Sequence, residues 1–222
     1  MRVDADDFAR PCGDGKMHHE IKEILIEPGA VNALEEAMSE GFLKEYISPL
    51  LICDTNTCKV TEEIMEDIYD RCQVLVLDAE GLHADPLAIE IVENNMEEDI
   101  DLILAVGAGT IHDISRYVAF QYKIPFISVP TAASVDGFVS TVAAMTWNGL
   151  KKTIPAVPPI AVYADSNIFA DAPARLNASG VSDLLGKYMC LVDWKIAHML
   201  TDEYICNEII ELEEMALRTV RS

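Results

Sequence analysis

The 222-residue chain is half apolar and carries 38 Asp and Glu against 16 Lys and Arg, a formal net charge of −22. That leaves room for a sizeable core, and it excludes nucleic acid as a partner, because counterion release needs clustered Lys and Arg. No apolar run approaches the roughly 20 residues of a membrane span, and "MRVDADDFARPC" does not read as a signal peptide.

In chain order, "PLLICD" (49–54) reads as a strand and "TEEIMEDIYDRC" (61–72) as a helix begun by Thr61. Its acidic residues form a solvated face that serves solubility. "QVLVLD" (73–78) is a second strand. "ADPLAIEIVENNME" follows as a helix, with Asp85 as N-cap and Pro86 at the first helical position. "DLILAVG" (101–107), a helix from Thr110 to about Tyr122, and "PFISVP" (125–130) continue the series. Strands that are apolar throughout are expected where helices cover both faces of a parallel sheet. The class is therefore α/β.

After residue 130 the character changes. "TAASVDGFVSTVAAMTWNGLKKTIPAVPPIAVYADS" is rich in small residues, Thr, Ser and Pro, with a hairpin expected at Trp147–Asn148–Gly149. From about Phe169 the patterns are helical to the end. A boundary near 168 is expected, with a Rossmann-like dinucleotide-binding domain over 1–168 and the beginning of a helical domain over 169–222. Two or three helices are too few to bury a core alone. The six cysteines, at 12, 53, 58, 72, 190 and 206, lack paired spacing. They point to reduced, mostly buried thiols and a cytoplasmic protein, with a redox or metal role for Cys53 and Cys58 as the lesser alternative.

Three stretches carry chemistry. In "LILAVGAGTIHDISRYVAF" an apolar strand stops at Gly107, Ala108 and Gly109 and a helix begins at once. Small residues there let backbone N–H groups approach a pyrophosphate, and the helix N-terminus adds partial positive charge. The dinucleotide fingerprint G-x-G-x-x-G fails at His112, so the turn alone does not separate a nucleotide site from an ordinary strand-to-helix turn. In "SVPTAASVDGFVS", Thr131, Ser134, Asp136 and Ser140 bring hydroxyls and a carboxylate to the presumed carboxyl end of the sheet, where open α/β folds bind ligands. The alternative is a loop satisfying its own backbone. In "SGVSDLLGKY", Asp183 and Lys187 stand at i and i+4. They could form a surface ion pair. The small apolar surroundings favour a buried carboxylate, which needs a partner or a metal.

Together "GAGTIHDISRYVAFQYKIPFISVPTAASVDGFVS", "NGLKKTIPAVPPIAVYAD" and "SGVSDLLGKYMCLVDWKIAHML" resemble the sn-glycerol-1-phosphate dehydrogenase family. That family is related to glycerol dehydrogenase, the iron-type alcohol dehydrogenases and dehydroquinate synthase. The resemblance runs from about residue 25 to the end. It implies a dehydroquinate synthase-like fold and reduction of dihydroxyacetone phosphate to sn-glycerol 1-phosphate with NAD or NADP. It also implies that Gly109, Thr110, Ile111, His112 and Asp113 contact the dinucleotide, with Gly107 and Ala108 shaping the turn. Thr131, Ala132, Ala133, Ser134 and Ser140 would line the same cleft, and Asp54 would meet the adenosine ribose. Asp136 and Asp183 would touch the substrate, and Asp183 would bind a divalent metal, zinc being expected.

Two further histidines complete that metal site in the family, and no triad can be assembled from the five here. His198 reads as a packed or capped histidine. The chain is thus expected to be the amino-terminal part of such an enzyme, inactive alone, and a homo-oligomer at full length. A glycerol or other polyol dehydrogenase, or a non-catalytic dinucleotide-binding fragment, are the competing readings. Lys151 and Lys152 in "NGLKKTIP" either supply charge for a substrate phosphate or form a solvated hairpin edge.

Overall fold

The computed structural model describes residues 21–221 together with Arg2 and Val3. The N-terminal leader, with Cys12, His18 and His19, lies outside them. The strands are β1 (Arg2–Val3), β2 (Glu23–Glu27), β3 (Pro49–Asp54), β4 (Gln73–Leu77), β5 (Leu102–Gly107), β6 (Phe126–Pro130), β7 (Val142–Trp147), β8 (Leu150–Pro155) and β9 (Ala161–Asp165). The helices are α1 (Ala30–Ser39), α2 (Thr55–Thr61), α3 (Glu66–Tyr69), α4 (Pro86–Asn95), α5 (Gly109–Tyr122), α6 (Ser166–Asp171), α7 (Ala174–Thr201) and α8 (Asn207–Arg221), with a 3-10 turn at Gly137–Val139.

One sheet runs β1-β2-β9-β6-β5-β3-β4, parallel from β2 to β4, with β1 antiparallel at the edge. Its inner strands β5, β6 and β9 are buried along their whole length. Their side chains feed two cores, one on each face. Leu51, Cys53, Leu104 and Val129 pack with α1, α3 and α6. Leu50, Ile52, Ile103 and Phe126 pack with α4, α5 and β7. That two-sided burial is why these strands read as continuous apolar runs. Edge strand β4 alternates instead, leaving Val74 and Val76 partly exposed.

Asp85 caps α4 through Ala88 N at 3.0 Å, with Pro86 at the helix start, as the sequence predicts. The hairpin of β7 and β8 turns at Asn148 and Gly149, whose φ angles of 53° and 76° give the left-handed turn that twisted strands prefer. Trp147 lies against Tyr117 of α5, ring centroids 6.1 Å apart, so the hairpin closes over that helix.

One expectation needs correction. No helix starts at Thr61. Asp54 Oδ1 accepts from Asn56 N at 2.8 Å and Thr57 N at 2.9 Å, and Thr57 Oγ1 accepts from Asp54 N. This capping box starts α2 directly after the strand. Thr61 ends that helix, its hydroxyl bonded to Thr57 O and paired with Tyr69 OH. A strand beyond the hairpin is also present: β9 pairs with β2 and β6 in the middle of the sheet. β2 and α1, for which the sequence reading has no element, complete that half of the sheet.

Helices α7 and α8 meet around Leu191, Ile210 and Leu217. Much of α7 is open, with Met189, Met199 and Leu200 strongly exposed. Among the described residues no helix is long and apolar enough to cross a membrane.

Candidate functional site

The sheet order places β5 beside β3, while the chain leaves β3 for β4 on one side and β5 for β6 on the other. This is a topological switch point, where the carboxyl ends of two strands open a crevice. A cleft of about 780 Å³ lies there. Ala108, Thr110, Ile111, Thr131 and Ala132 line it from the strand ends, Asp54, Thr57 and Val60 from α2, and Pro173, Arg175 and Leu176 from the start of α7.

The glycine turn is shaped by close approach. A Cβ on Gly107 would stand 2.7 Å from Ile111 Cβ, so α5 can follow β5 this tightly only with glycine there. Ala108 offers α5 no side-chain cap. The first bond of that helix runs from His112 N to Ala108 O at 3.2 Å, so the N–H groups of Gly109, Thr110 and Ile111 have no partner within it. Unlike α2 and α4, this helix has no side-chain cap, and Ala108, Thr110 and Ile111 at its start line the cleft.

Asp54 lines the cleft and also caps α2. Both cap bonds fall on Oδ1, and among the described residues Oδ2 accepts none. Thr110, Ile111, Thr131 and Ala132 also line the cleft.

His112 and Asp113 turn elsewhere, contrary to the sequence expectation. His112 is buried, its Nδ1 bonded to Ala108 O at 3.0 Å and its Nε2 to Ser128 Oγ at 2.8 Å. The carbonyl can only accept, so Nδ1 carries a proton. Burial pushes its pKa down to about 3, against a smaller upward pull from Ala108 O. Asp113 is paired with Arg116 at 3.2 Å, and burial raises its pKa. Ser140 folds back on Val142, donating to its carbonyl and accepting from its N–H, both at 3.1 Å. Ser134 is buried, its Oγ without a partner among the described residues, and Ala133 lies under α7.

Arg116 carried no signal as a functional residue, yet it holds this region together. Its guanidinium donates to Val142 O at 3.0 Å, Gly137 O at 2.7 Å and Phe138 O at 3.1 Å, tying α5 to the loop that carries Asp136. A run of carbonyls from a distant loop has no sequence signature.

From its other side that loop is held by α7. A Cβ on Gly180 would collide with Ala133 O, so helix and loop touch backbone to backbone. Asp183 Oδ2 then accepts from Asp136 N at 3.0 Å, and Lys187 Nζ lies 2.6 Å from Asp136 Oδ2. The structure thus brings Asp136 and Asp183 together, but Lys187 pairs with Asp136 across the loop rather than with Asp183 along the helix. Asp183 is partly buried rather than fully buried. Lys151 and Lys152 are exposed on β8 and lie outside the cleft lining. His198 is capped by Glu203 O at 2.7 Å, as its sequence context suggested.

Residues 25–173 match the model of the family described as iron-containing alcohol dehydrogenase. The chain belongs to that family. A relative named glycerol-1-phosphate dehydrogenase [NAD(P)+], from Geobacillus stearothermophilus, is 38% identical over 221 residues, covering 96% of this chain and 54% of its own. A relative of the same name from Thermococcus sibiricus is 41% identical over 162 residues, 73% of this chain and 45% of its own. The chain spans about half the length of the curated relatives it matches. Among solved structures, the iron-containing alcohol dehydrogenase of Thermotoga maritima superposes with a TM-score of 0.64 at 14% identity, over 76% of this chain and 52% of that one. At that identity the likeness speaks for the fold, and it supports the dehydroquinate synthase-like, α/β architecture.

A metal fits this chain's own residues poorly. Among the described residues no three His, Cys, Asp or Glu side chains gather as a metal site. Asp183 accepts from the Asp136 N–H, an ammonium already occupies Asp136, and His112 and His198 are both committed to backbone carbonyls. A catalytic zinc needs three protein donors.

Proposed function

We propose that this chain forms the dinucleotide-binding part of an enzyme that reduces dihydroxyacetone phosphate to sn-glycerol 1-phosphate with NADH or NADPH. The observation that carries the reading is the start of α5, which has no side-chain cap and whose Ala108, Thr110 and Ile111 line a cleft of about 780 Å³. A pyrophosphate would accept from Gly109, Thr110 and Ile111 N–H, in a field made locally positive by the helix end. Local attraction is what an anionic ligand requires in a chain of net charge −22. The adenosine ribose would lie along α2, its 2′-hydroxyl donating to Asp54 Oδ2. The relatives' shared name supports the choice of substrate. The resemblance also implies a zinc ion, for which this chain's residues supply Asp183 alone.

The test has two arms. NADH and NADPH are titrated into the chain and followed by nicotinamide fluorescence. Saturable binding is expected, with NADH favoured because the Asp54 carboxylate repels a 2′-phosphate. Absence of binding for both would end the dinucleotide reading. In the second arm, a protein of the relatives' length is assayed with dihydroxyacetone phosphate and with free glycerol. Equal or better turnover of glycerol would replace the phosphorylated substrate by a polyol.

A further inference from the structure

Cys53 and Cys58 have no part in the dinucleotide reading, yet the cap of α2 holds them in a defined relation. Asp54 is the cap, Cys53 immediately precedes it, and Cys58 is the fourth residue of the helix. Those two positions form a staple, whose side chains pack on each other across the helix start. Here both are thiols. Cys53 is buried in the core, Cys58 packs against that core from its rim, and the two side chains are hydrogen-bonded. Cys72 is badly placed for either. It directly precedes Gln73, which pairs with Leu50, three residues back from Cys53. That is about 10 Å along the strand, whereas a disulfide joins Cα atoms no more than about 7 Å apart. Exposure separates the roles of the pair. Burial pushes the Cys53 thiol up to about 12 and keeps it protonated near neutral pH, while Cys58 is partly exposed, so an oxidant from solvent meets Cys58 first. Asp54, Asn56 and Thr57, all between the two cysteines, line the cleft.

We propose that hydrogen peroxide joins Cys53 and Cys58 in a reversible disulfide, and that the bridge shifts the first turn of α2 and weakens dinucleotide binding at Asp54. The Cys58 sulfur bonds one peroxide oxygen, the O–O bond breaks, and the other oxygen leaves as water with the thiol proton, giving a sulfenic acid. The Cys53 sulfur then bonds the Cys58 sulfur, the S–O bond breaks, and hydroxide departs with the Cys53 proton as a second water. Two thiols lose two electrons to the peroxide, and a dithiol reverses the bridge by exchange. Closing it brings the sulfurs from contact to about 2 Å. The strand is held, since Cys53 pairs with Val76 of β4 and Ile52 with Ala105 of β5. The seven-residue helix is the part that moves, drawing Asn56 N and Thr57 N from Asp54 Oδ1, which accepts them at 2.8 and 2.9 Å. The effect on NADH rests on the dinucleotide reading, whereas the bridge and the movement of α2 do not.

The 222-residue chain, C58S and C58A are treated with hydrogen peroxide, alkylated and mapped by mass spectrometry. The wild type should show a Cys53–Cys58 bridge that dithiothreitol removes. Amide hydrogen exchange at Asn56 and Thr57 should then rise, and NADH affinity should fall by about tenfold, the worth of one hydrogen bond to a charged group. Both should return on reduction. In C58S and C58A peroxide should change neither, which separates the bridge from methionine oxidation common to all three proteins. Thiols that stay reduced, or a bridge to another cysteine, overturn the proposal. So does a Cys53–Cys58 bridge that leaves either the amide exchange or a measurable NADH affinity unchanged. Should the reduced chain bind no NADH, the dinucleotide reading fails by itself, and the bridge and the amide exchange decide this proposal.

Discussion

Replacing His112 by Asn should flatten the acid limb of the stability curve. The imidazole is 1% exposed, donates from Nδ1 to Ala108 O and pairs through Nε2 with Ser128 Oγ. Its pKa falls from 6.5 to about 3, through burial first and through the charge of Arg116 as a lesser downward cause. The native state therefore holds the ring neutral where the unfolded chain protonates it. Stability from this group is complete above pH 6.5 and is lost as pH falls from 6.5 toward 3. At about 1.4 kcal/mol per pH unit, the loss by pH 5 is about 2 kcal/mol. Urea unfolding at pH 7.5 and pH 5.0, followed by tryptophan fluorescence, measures it. The stability difference between the two pH values should be about 2 kcal/mol larger in wild type than in H112N. The chain's many carboxylates contribute to both proteins and cancel. An identical pH dependence in the two would show that the ring is hydrated or that its hydrogen-bond scheme differs from the one described.

Gly107→Ala puts a methyl group 2.7 Å from Ile111 Cβ, and should cost about 1–3 kcal/mol in urea and weaken NADH binding at the adjoining turn. Arg116→Met removes the guanidinium's bonds to the carbonyls of Gly137, Phe138 and Val142, of which the first and last keep a bond from Ser140, and breaks the ion pair with Asp113. A loss of about 3–5 kcal/mol is expected by the same unfolding assay, with R116K recovering only part of it because one ammonium cannot span the same carbonyls. Asp85→Ala removes the bond to Ala88 N and should cost about 1 kcal/mol, with dinucleotide affinity unchanged because α4 does not line the cleft.

The parts of the fold legible in the sequence are those where local chemistry and tertiary burial agree. β5 is apolar at every position because helices cover both its faces, and α4 announces itself with a cap and a proline. Asn148–Gly149 dictates its hairpin by backbone preference alone. β9 is hidden because it is a short run that directly follows a proline-rich stretch, and only its pairing with β2 and β6 makes it central. The misplaced helix at Thr61 has a similar cause. Threonine there serves as a hydroxyl that closes α2 onto Tyr69, while the residue that starts the helix is Asp54, hidden as the last residue of a strand.

For the site, spacing could find the turn but not the directions of the side chains. Gly107, Thr110 and Ile111 sit where the pattern puts them because the strand–turn–helix geometry leaves little choice. One residue further, periodicity around a helix turns His112 toward Ser128 and Asp113 toward Arg116, away from the cleft. The partnership of Asp136 with Lys187 spans 51 positions and depends on Gly180 seating one backbone on another. Within α7 alone, Lys187 would be read as the i+4 partner of Asp183. The loop outcompetes that local pair because it offers Lys187 a carboxylate at 2.6 Å while occupying Asp183 Oδ2 with its own N–H. A helix-surface rule thus gives way to a tertiary contact.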